Sequence, residues 1–233
     1  MNWERVWTAN NLWRLAFGDW PDGALGGLAI TLILGVLAIV ACTVLGTLIG
    51  VMRASRNPAI RGIATLYVQT LRNIPLLILI FWAYFLPPYL DFDLSKFTSV
   101  LIALTVFTAA YIAEIVRGGI ASVPAGAVLG ARALGLSEVS IWRWVILPQA
   151  FFNMIPAITG RYITVIKNTS LAFLIGLTEL TEVGRQINSF LMSSPIEVYF
   201  TLLMIYFVVN RGISMGMRLL ESLPRFNRLF LRV

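Results

Sequence analysis

The sequence predicts an all-α integral membrane protein with five transmembrane helices, and its composition and apolar segments lead to that prediction. Of its 233 residues, 58% are apolar and only 12% are charged, about half the roughly 25% typical of soluble domains. Long segments without any charged residue recur along the chain. A soluble fold of this size could accommodate so many apolar side chains only by exposing a large apolar surface, so the chain is suited to lipid.

Five segments have the apolar character of membrane spans, each near the length of about 20 residues that a spanning helix needs. They are residues 23–52, residues from about 63 to 90, residues 97–113 with one further turn, residues from about 150 past Lys167, and residues 195–220. These boundaries define three regions. An N-terminal interfacial segment covers 1–22, a membrane domain covers 23–221, and a cytoplasmic tail covers 222–233.

Basic residues predict the orientation, because cytoplasmic loops of membrane proteins are enriched in Lys and Arg. One side holds ten arginines: Arg53, Arg56, Arg61, Arg117, Arg132, Arg143, Arg218, Arg225, Arg228 and Arg232. The other side holds Arg5, Arg14, Lys96 and Arg185, together with most of the acidic residues. We therefore expect the N-terminus outside and the C-terminus inside. Residues 3–20 interleave tryptophans with polar residues, which predicts an amphipathic helix lying on the outer face.

Several chemistries are excluded by the residue inventory. The sequence contains no histidine, which excludes a Ser-His-Asp triad and a histidine-bound metal. The single cysteine, Cys42, lies in an apolar segment, as expected of a structural thiol. Neither Lys96 nor Lys167 ends a phosphate-binding G-x-x-x-x-G-K-[ST] loop. We expect no catalytic residue, metal site or bound cofactor in this chain, so any ATP would be hydrolysed by another protein.

The net charge of +7 does not indicate a nucleic-acid partner. Nucleic-acid recognition needs a basic face on a folded soluble domain. Here the arginines separate apolar segments, which is the pattern of membrane topology.

Residues 124–149 differ from an ordinary connection between spans. Pro124 is suited to the first helical position, and Gly135 is suited to the left-handed position that ends a helix. Ser137 is a typical cap for a second helix, which Pro148 is expected to interrupt. The pattern predicts two short helices joined rigidly at a glycine. Such a segment could lie in the lipid headgroups, or it could be offered to a groove on a soluble partner.

The same segment resembles a known signature. Leu129-Gly130-Ala131, followed by Gly135 and then Val145-Ile146-Leu147-Pro148, resembles the E-A-A-x3-G-x9-I-x-L-P signature of the membrane subunits of bacterial ABC importers. Further stretches resemble the permeases for polar amino acids of the histidine, glutamine, glutamate and opine group: 72–77, 113–120, 122–124, 133–137, 147–150 and 167–171. Two departures are evident. Leu129-Gly130 replaces the usual Glu-Ala, and Asn168 replaces a frequent Asp.

This resemblance implies a non-catalytic permease subunit of an ATP-driven amino-acid importer in the bacterial inner membrane. Such subunits work in pairs, either identical or related, with two cytoplasmic P-loop ATPases that bind ATP and Mg and a soluble amino-acid-binding protein outside. The residues expected to couple to the ATPase are Gly126, Leu129, Gly130, Ala131, Gly135, Leu136, Ser137, Leu147 and Pro148.

Polar residues within or beside the apolar segments are candidates for the translocation path or its gate, because charges in lipid are costly. They are Arg72, Glu114, Arg117, Lys167, Asn168, Thr169 and Ser170. Pro75 is a candidate for a different reason, because it weakens the helix beside Arg72 and a broken helix next to a cation is suited to an amino-acid carboxylate. Glu114 and Arg117 are three residues apart and can form an ion pair on one helical face. That pair either braces the neighbouring 124–149 segment or acts as a gate, and Arg72 either contacts substrate or lies at the cytoplasmic interface.

Three other functions stay open from the residues alone. A secondary transporter would show an inverted repeat and acidic residues in its spans, whereas the sequence shows no repeat and offers only Glu114. A membrane enzyme would need a cluster of catalytic groups that Glu114, without histidine, does not supply. The composition is also compatible with a non-transporting anchor subunit.

Overall fold

The computed structural model describes residues 3–222, so the predicted tail at 222–233, apart from Ser222, lies outside the described residues. Within them the regular structure is helical, and β-pairing is confined to two isolated bridges. The helices are α1 (Trp3–Val6), α2 (Ala9–Phe17), α3 (Gly27–Arg53), α4 (Pro58–Arg72), α5 (Leu76–Phe85), α6 (Lys96–Ala121), α7 (Ala125–Ala133), α8 (Glu138–Ile141), α9 (Leu147–Asn168), α10 (Leu180–Leu191) and α11 (Pro195–Ser222). Short 3₁₀ segments cover Pro87–Leu90 and Thr169–Ile175, and a π-helical turn covers Trp142–Ile146.

Three described helices are long and apolar enough to cross a membrane, namely α3, α6 and α11. The predicted second span, from about 63 to 90, is two helices, and α4 and α5 meet the same criterion only when counted together. Pro75 explains this break, because proline disfavours the helical conformation of the preceding residue, and α5 begins directly after it. Helix α9 contains Arg161 and Lys167 and does not meet the criterion, so the count of five spans stays a prediction.

The contacts divide the chain into two compact units, and several long helices contribute residues to both. Unit 1 comprises Met1–Ala41, Ile74–Thr105 and Ile163–Ile213. One apolar cluster of this unit joins α1, α2, α10 and α11 through Val6, Leu15, Leu180, Val183, Ile187, Val198 and Leu202. Trp7 is tied to the same cluster of helices, because its indole N–H donates to the Thr201 hydroxyl at 3.0 Å.

Unit 2 comprises Cys42–Asn73, Val106–Tyr162 and the chain from Ser214 onward. Its core packs α3 against α6, with Cys42 fully buried beside Ala109 and Ile112. At Gly46 an added Cβ would lie 2.6 Å from the Ile112 Cβ and 2.8 Å from the Ala109 carbonyl oxygen. Gly46 therefore lets the backbones of α3 and α6 approach closely, as small residues do in packed membrane helices.

The N-terminal segment contains the predicted amphipathic helix, α2. Thr8 caps it by accepting a hydrogen bond from the Asn11 N–H. Leu15 is buried, whereas Trp13, Phe17 and Trp20 are exposed and contact one another. One face of α2 therefore packs against the other helices of unit 1, and its aromatic face is left uncovered.

Candidate functional site

The first part of the candidate site is the predicted coupling segment, residues 124–149, which lies in unit 2. Pro124 is the N-cap of α7 rather than its first helical residue. Gly135 has φ +77°, which confirms the predicted left-handed residue. The Gly135 N–H donates to the Arg132 carbonyl at 2.9 Å, and the Leu136 N–H donates to the Ala131 carbonyl at 3.2 Å. These two bonds form a complete Schellman motif, which fixes the direction in which the chain leaves α7.

The second helix of the segment is also capped as predicted. The Ser137 hydroxyl accepts from the Ser140 N–H at 3.3 Å. Glu138, in the first turn of α8, accepts from the Arg132 guanidinium at 2.9 Å, and Arg56 lies 3.8 Å from the same carboxylate. The hydrogen bond from Arg132 lowers the pKa of Glu138 below its ordinary value. Because Arg132 belongs to α7, this pair ties the two short helices together.

The prediction that Pro148 interrupts the second helix is wrong. The chain remains helical from Glu138 into α9, through the π-helical turn Trp142–Ile146. In that turn the Leu147 N–H donates to the Trp142 carbonyl, five residues earlier. In a regular α-helix, the ring of Pro148 would clash with a carbonyl of the preceding turn, and the wider π-helical turn lies at that position. Pro148 also has no N–H that could be left without a hydrogen bond.

Apolar side chains cover the exposed surface of the segment. Ala131 and Ile141 are buried, and the exposed apolar residues are Leu129, Leu134, Leu136, Val139, Trp144 and Leu147. Gly126 and Gly130 also lie in α7, and an added Cβ at either would meet no atom within 4 Å. The segment therefore combines a rigid backbone with an uncovered apolar surface, which is suited to a groove on a partner.

The second part of the site is a cluster of charges around Glu114 on α6. The Arg117 guanidinium donates to its carboxylate at 2.5 Å, which confirms the predicted pair. Arg53, the last residue of α3, donates to the other carboxylate oxygen, and Arg72 lies 3.7 Å from that oxygen. Sequence reasoning missed Arg53, because nothing in the spacing indicates a contact between residues 61 positions apart.

An aromatic ring extends this cluster. The Arg161 guanidinium lies 3.8 Å from the centroid of the Tyr111 ring, and that of Arg72 lies 5.4 Å from it. Cations over an aromatic face are stabilised by the ring quadrupole. The structure thus brings together three predicted path or gate residues, Arg72, Glu114 and Arg117. Arg161 lies beside them, over the ring of Tyr111.

Four of the predicted path residues lie in unit 1, where α9 ends, namely Lys167, Asn168, Thr169 and Ser170. The Thr169 hydroxyl donates to the Ile166 carbonyl at 2.7 Å and the Ser170 hydroxyl donates to the Lys167 carbonyl at 2.7 Å. Both hydroxyls therefore bond to carbonyl groups at the end of α9, and Thr169 is fully buried there. The side chain of Lys167 instead lines a cleft of about 400 Å³ with residues of α11 that include Tyr206, Asn210 and Arg211.

Glu179 is a buried carboxyl that the charge count from the sequence placed only among the acidic residues of the outer side. It is the N-cap of α10 and is fully buried. Its carboxylate accepts from the Glu182 N–H at 2.9 Å and from the Tyr206 hydroxyl at 3.1 Å. No short sequence pattern signals this burial, because it depends on packing against residues such as Tyr206, 27 positions along the chain.

The buried carboxyl predicts a pH dependence of stability. Burial raises the pKa of Glu179 from 4.5 to about 7, although its hydrogen bonds favour the charged form. Between these values the folded protein holds a proton that the unfolded chain has released, so the free energy of unfolding falls as the pH rises. We expect the thermal midpoint to be lower at about pH 8 than at about pH 5, and Glu179→Gln to remove most of that difference.

The control for this measurement is Glu182→Gln. Arg185 lowers the pKa of Glu182, so any stability that it contributes is lost only as the pH falls below about 4.5. The Glu182 variant should keep the wild-type slope between about pH 5 and pH 8. An unchanged slope in Glu179→Gln would show that Glu179 is not the titrating group.

Comparison with known proteins identifies the family to which this geometry belongs. Residues 43–225 match the family described as "Binding-protein-dependent transport system inner membrane component". The chain belongs to this family. It is 32% identical over 199 residues to the probable glutamine ABC transporter permease protein GlnP of Bacillus subtilis, covering 84% of this chain and 90% of that protein. It is 29% identical over 222 residues to the glutamine transport system permease protein GlnP of Escherichia coli, covering 94% and 96%.

Solved structures agree with this assignment. The crystal structure of an amino acid ABC transporter with histidines is 32% identical, with a TM-score of 0.79 over 84% of this chain and 91% of that chain. The MetNI methionine ABC transporter, at 24% identity and a TM-score of 0.70, shares the fold. The chain is therefore a multi-pass protein of the inner membrane and a permease subunit of a binding-protein-dependent transport system.

Proposed function

We propose that this chain forms half of the translocation path of an ATP-driven amino-acid importer and transmits the ATPase cycle through residues 124–149. The observation that carries the proposal is the segment itself. The Schellman motif at Gly135 and the Arg132–Glu138 pair hold two short helices in a fixed arrangement, while apolar side chains such as Trp144 stay exposed. A rigid segment transmits a partner's motion, whereas a mobile loop would absorb it.

The assembly that we propose contains a second permease subunit, two cytoplasmic ATPases that bind ATP and Mg, and an amino-acid-binding protein outside. The chain itself would bind no cofactor and hydrolyse nothing. The related permeases named for glutamine support amino acids as the substrate class. The absence of the usual Glu at Leu129 removes one ion pair with the ATPase, and an exposed pair contributes only about 0–1 kcal/mol.

We also propose five spans with the N-terminus outside and the C-terminus inside. The charges of the two units support this orientation. Among the described residues, unit 2 holds nine arginines and three glutamates, whereas unit 1 holds six basic and eight acidic residues. By the positive-inside rule, this excess of arginines supports a cytoplasmic position for the coupling segment. The aromatic face of α2, in unit 1, would then rest among the outer headgroups.

Glu114 bears on the alternative of secondary transport. A carboxylate that couples transport to protons or sodium must exchange its ion during the cycle. Glu114 is instead engaged by Arg53 and Arg117, with Arg72 close by. This arrangement favours a brace for the neighbouring coupling segment over an ion-coupling site. The roles of Pro75, Lys167 and Asn168 in the translocation path are part of the same proposal.

The proposal is tested by purifying the tagged chain from native membranes in mild detergent and identifying its partners by mass spectrometry. We expect a P-loop ATPase in an amount equal to that of the permease. A second permease sequence in the preparation would indicate a heterodimer, and its absence a homodimer. Repeated recovery of intact chain without any ATPase would contradict ATP coupling.

A further inference from the structure

A basic cleft in unit 2 lies beside the Glu114 cluster and shares Arg53 and Arg117 with it. It has a volume of about 360 Å³, and its polar lining consists of Arg53, Arg61, Thr65 and Arg117. These residues come from the end of α3, the first half of α4 and the last two turns of α6. Three guanidinium groups around one cavity form a site with the charge and geometry for an anion, and guanidinium is suited to phosphate oxygens.

The charge of this cleft is only partly neutralised. Glu114 offers a single carboxylate to both Arg53 and Arg117. No ion pair of Arg61 is found among residues 3–222, and its side chain is exposed. The Arg53 Nε is buried without a hydrogen-bond partner in the described chain. That buried atom is not accessible from the cleft, so the donors available to an anion there are the guanidinium of Arg61, which has no carboxylate partner among these residues, and the remaining N–H groups of Arg53 and Arg117.

The position of the cleft along the helices indicates the source of the anion. Arg53 is the last residue of α3 and Arg117 lies four residues before the end of α6, and both helices are candidate membrane spans. The ends of spanning helices lie where the hydrocarbon gives way to the headgroups. Basic pockets between membrane helices on the cytoplasmic side are suited to anionic lipid headgroups.

We propose that this cleft binds the phosphate group of an anionic phospholipid. The phosphodiester would accept hydrogen bonds from the guanidinium groups of Arg61 and Arg117, and the acyl chains would lie along the apolar helices. Inorganic phosphate shares this chemistry, so it is the competing source of the ligand. This proposal rests on the orientation proposed above, and its test reads out lipid binding rather than transport.

The test uses the purified, delipidated transporter complex with phosphatidylglycerol or phosphatidylcholine added in detergent micelles, and native mass spectrometry counts the lipid retained. Arg61→Gln should weaken retention of phosphatidylglycerol roughly fivefold, the effect expected of one basic residue near a lipid surface. Arg61→Lys should retain most of the binding, because it keeps the charge. The matched control is Arg218→Gln, which removes an exposed arginine of the same unit away from the cleft.

Selective loss in Arg61→Gln, with Arg218→Gln unchanged and phosphatidylcholine weakly retained throughout, would support the site. Equal retention by Arg61→Gln and wild type would overturn it. Equal losses in both glutamine variants would also overturn it, because they would indicate general surface attraction. Displacement of phosphatidylglycerol by excess inorganic phosphate, at an ionic strength matched with chloride, would overturn the assignment to lipid and indicate free phosphate as the ligand.

Discussion

Replacing Gly135 by valine is expected to reduce ATP-driven uptake roughly tenfold or more, while the chain remains in the membrane. Gly135 has φ +77°, a left-handed conformation that costs a residue with a Cβ about 1–2 kcal/mol and is worse for a β-branched one. An added Cβ would meet no atom within 4 Å, so backbone strain rather than a clash would drive the change. The Schellman motif would be lost, and α8 would leave α7 in a different direction.

Two further variants separate backbone strain from other effects of the substitution. Gly135→Asn should keep more uptake than Gly135→Val, because asparagine tolerates the left-handed region. Gly62→Ala adds a methyl group in open space at a helical position of α4, so it should leave uptake unchanged. Normal uptake by a well-expressed Gly135→Val variant would show that the direction set at Gly135 is not needed for coupling.

Replacing Glu114 by glutamine is expected to lower the free energy of unfolding by about 2–3 kcal/mol. Removing one partner of a fully buried ion pair costs about 3–5 kcal/mol. We expect a smaller loss for Glu114→Gln because the Glu114 side chain is 28% exposed. The variant would leave Arg53, Arg72 and Arg117 close together without their shared carboxylate. The change is measured by unfolding the purified protein in mixed micelles.

The pairing itself is tested by a double-mutant cycle with Arg117→Gln. If Glu114 stabilises the fold through its arginines, the double variant should lose less stability than the sum of the two single variants. Glu114→Asp keeps the charge and should retain part of the stability, whereas Glu138→Gln removes an exposed carboxylate and should change stability little. Additive losses in the cycle would mean that Glu114 acts through other contacts.

The features that could be predicted from sequence are those fixed by neighbouring residues. The left-handed Gly135, the Ser137 cap and the Glu114–Arg117 pair each depend on spacings of a few positions. Local geometry determines such contacts, so the residue types alone indicate them. The apolar segments likewise predicted long helices at α3, α6 and α11.

The features that sequence reasoning missed depend on distant parts of the chain. Glu179 accepts from Tyr206, 27 positions away, and its burial follows from packing that no short pattern indicates. The contact between Arg53 and Glu114 likewise joins two helices, α3 and α6, whose contacting residues are 61 positions apart in the sequence. The error at Pro148 has a different origin, because a π-helical turn is rare and its wider hydrogen bonding leaves no clear signal in the residue types.

The central claim is that the chain couples a partner's ATP hydrolysis to amino-acid import, and uptake into proteoliposomes tests it most directly. The purified complex is reconstituted with its binding protein on one side of the membrane and ATP on the ATPase side. We expect labelled amino acid to accumulate only with hydrolysable ATP, and the Gly135→Val complex to hydrolyse ATP with little uptake. Accumulation driven by a proton or sodium gradient without ATP would contradict this account and indicate a secondary transporter.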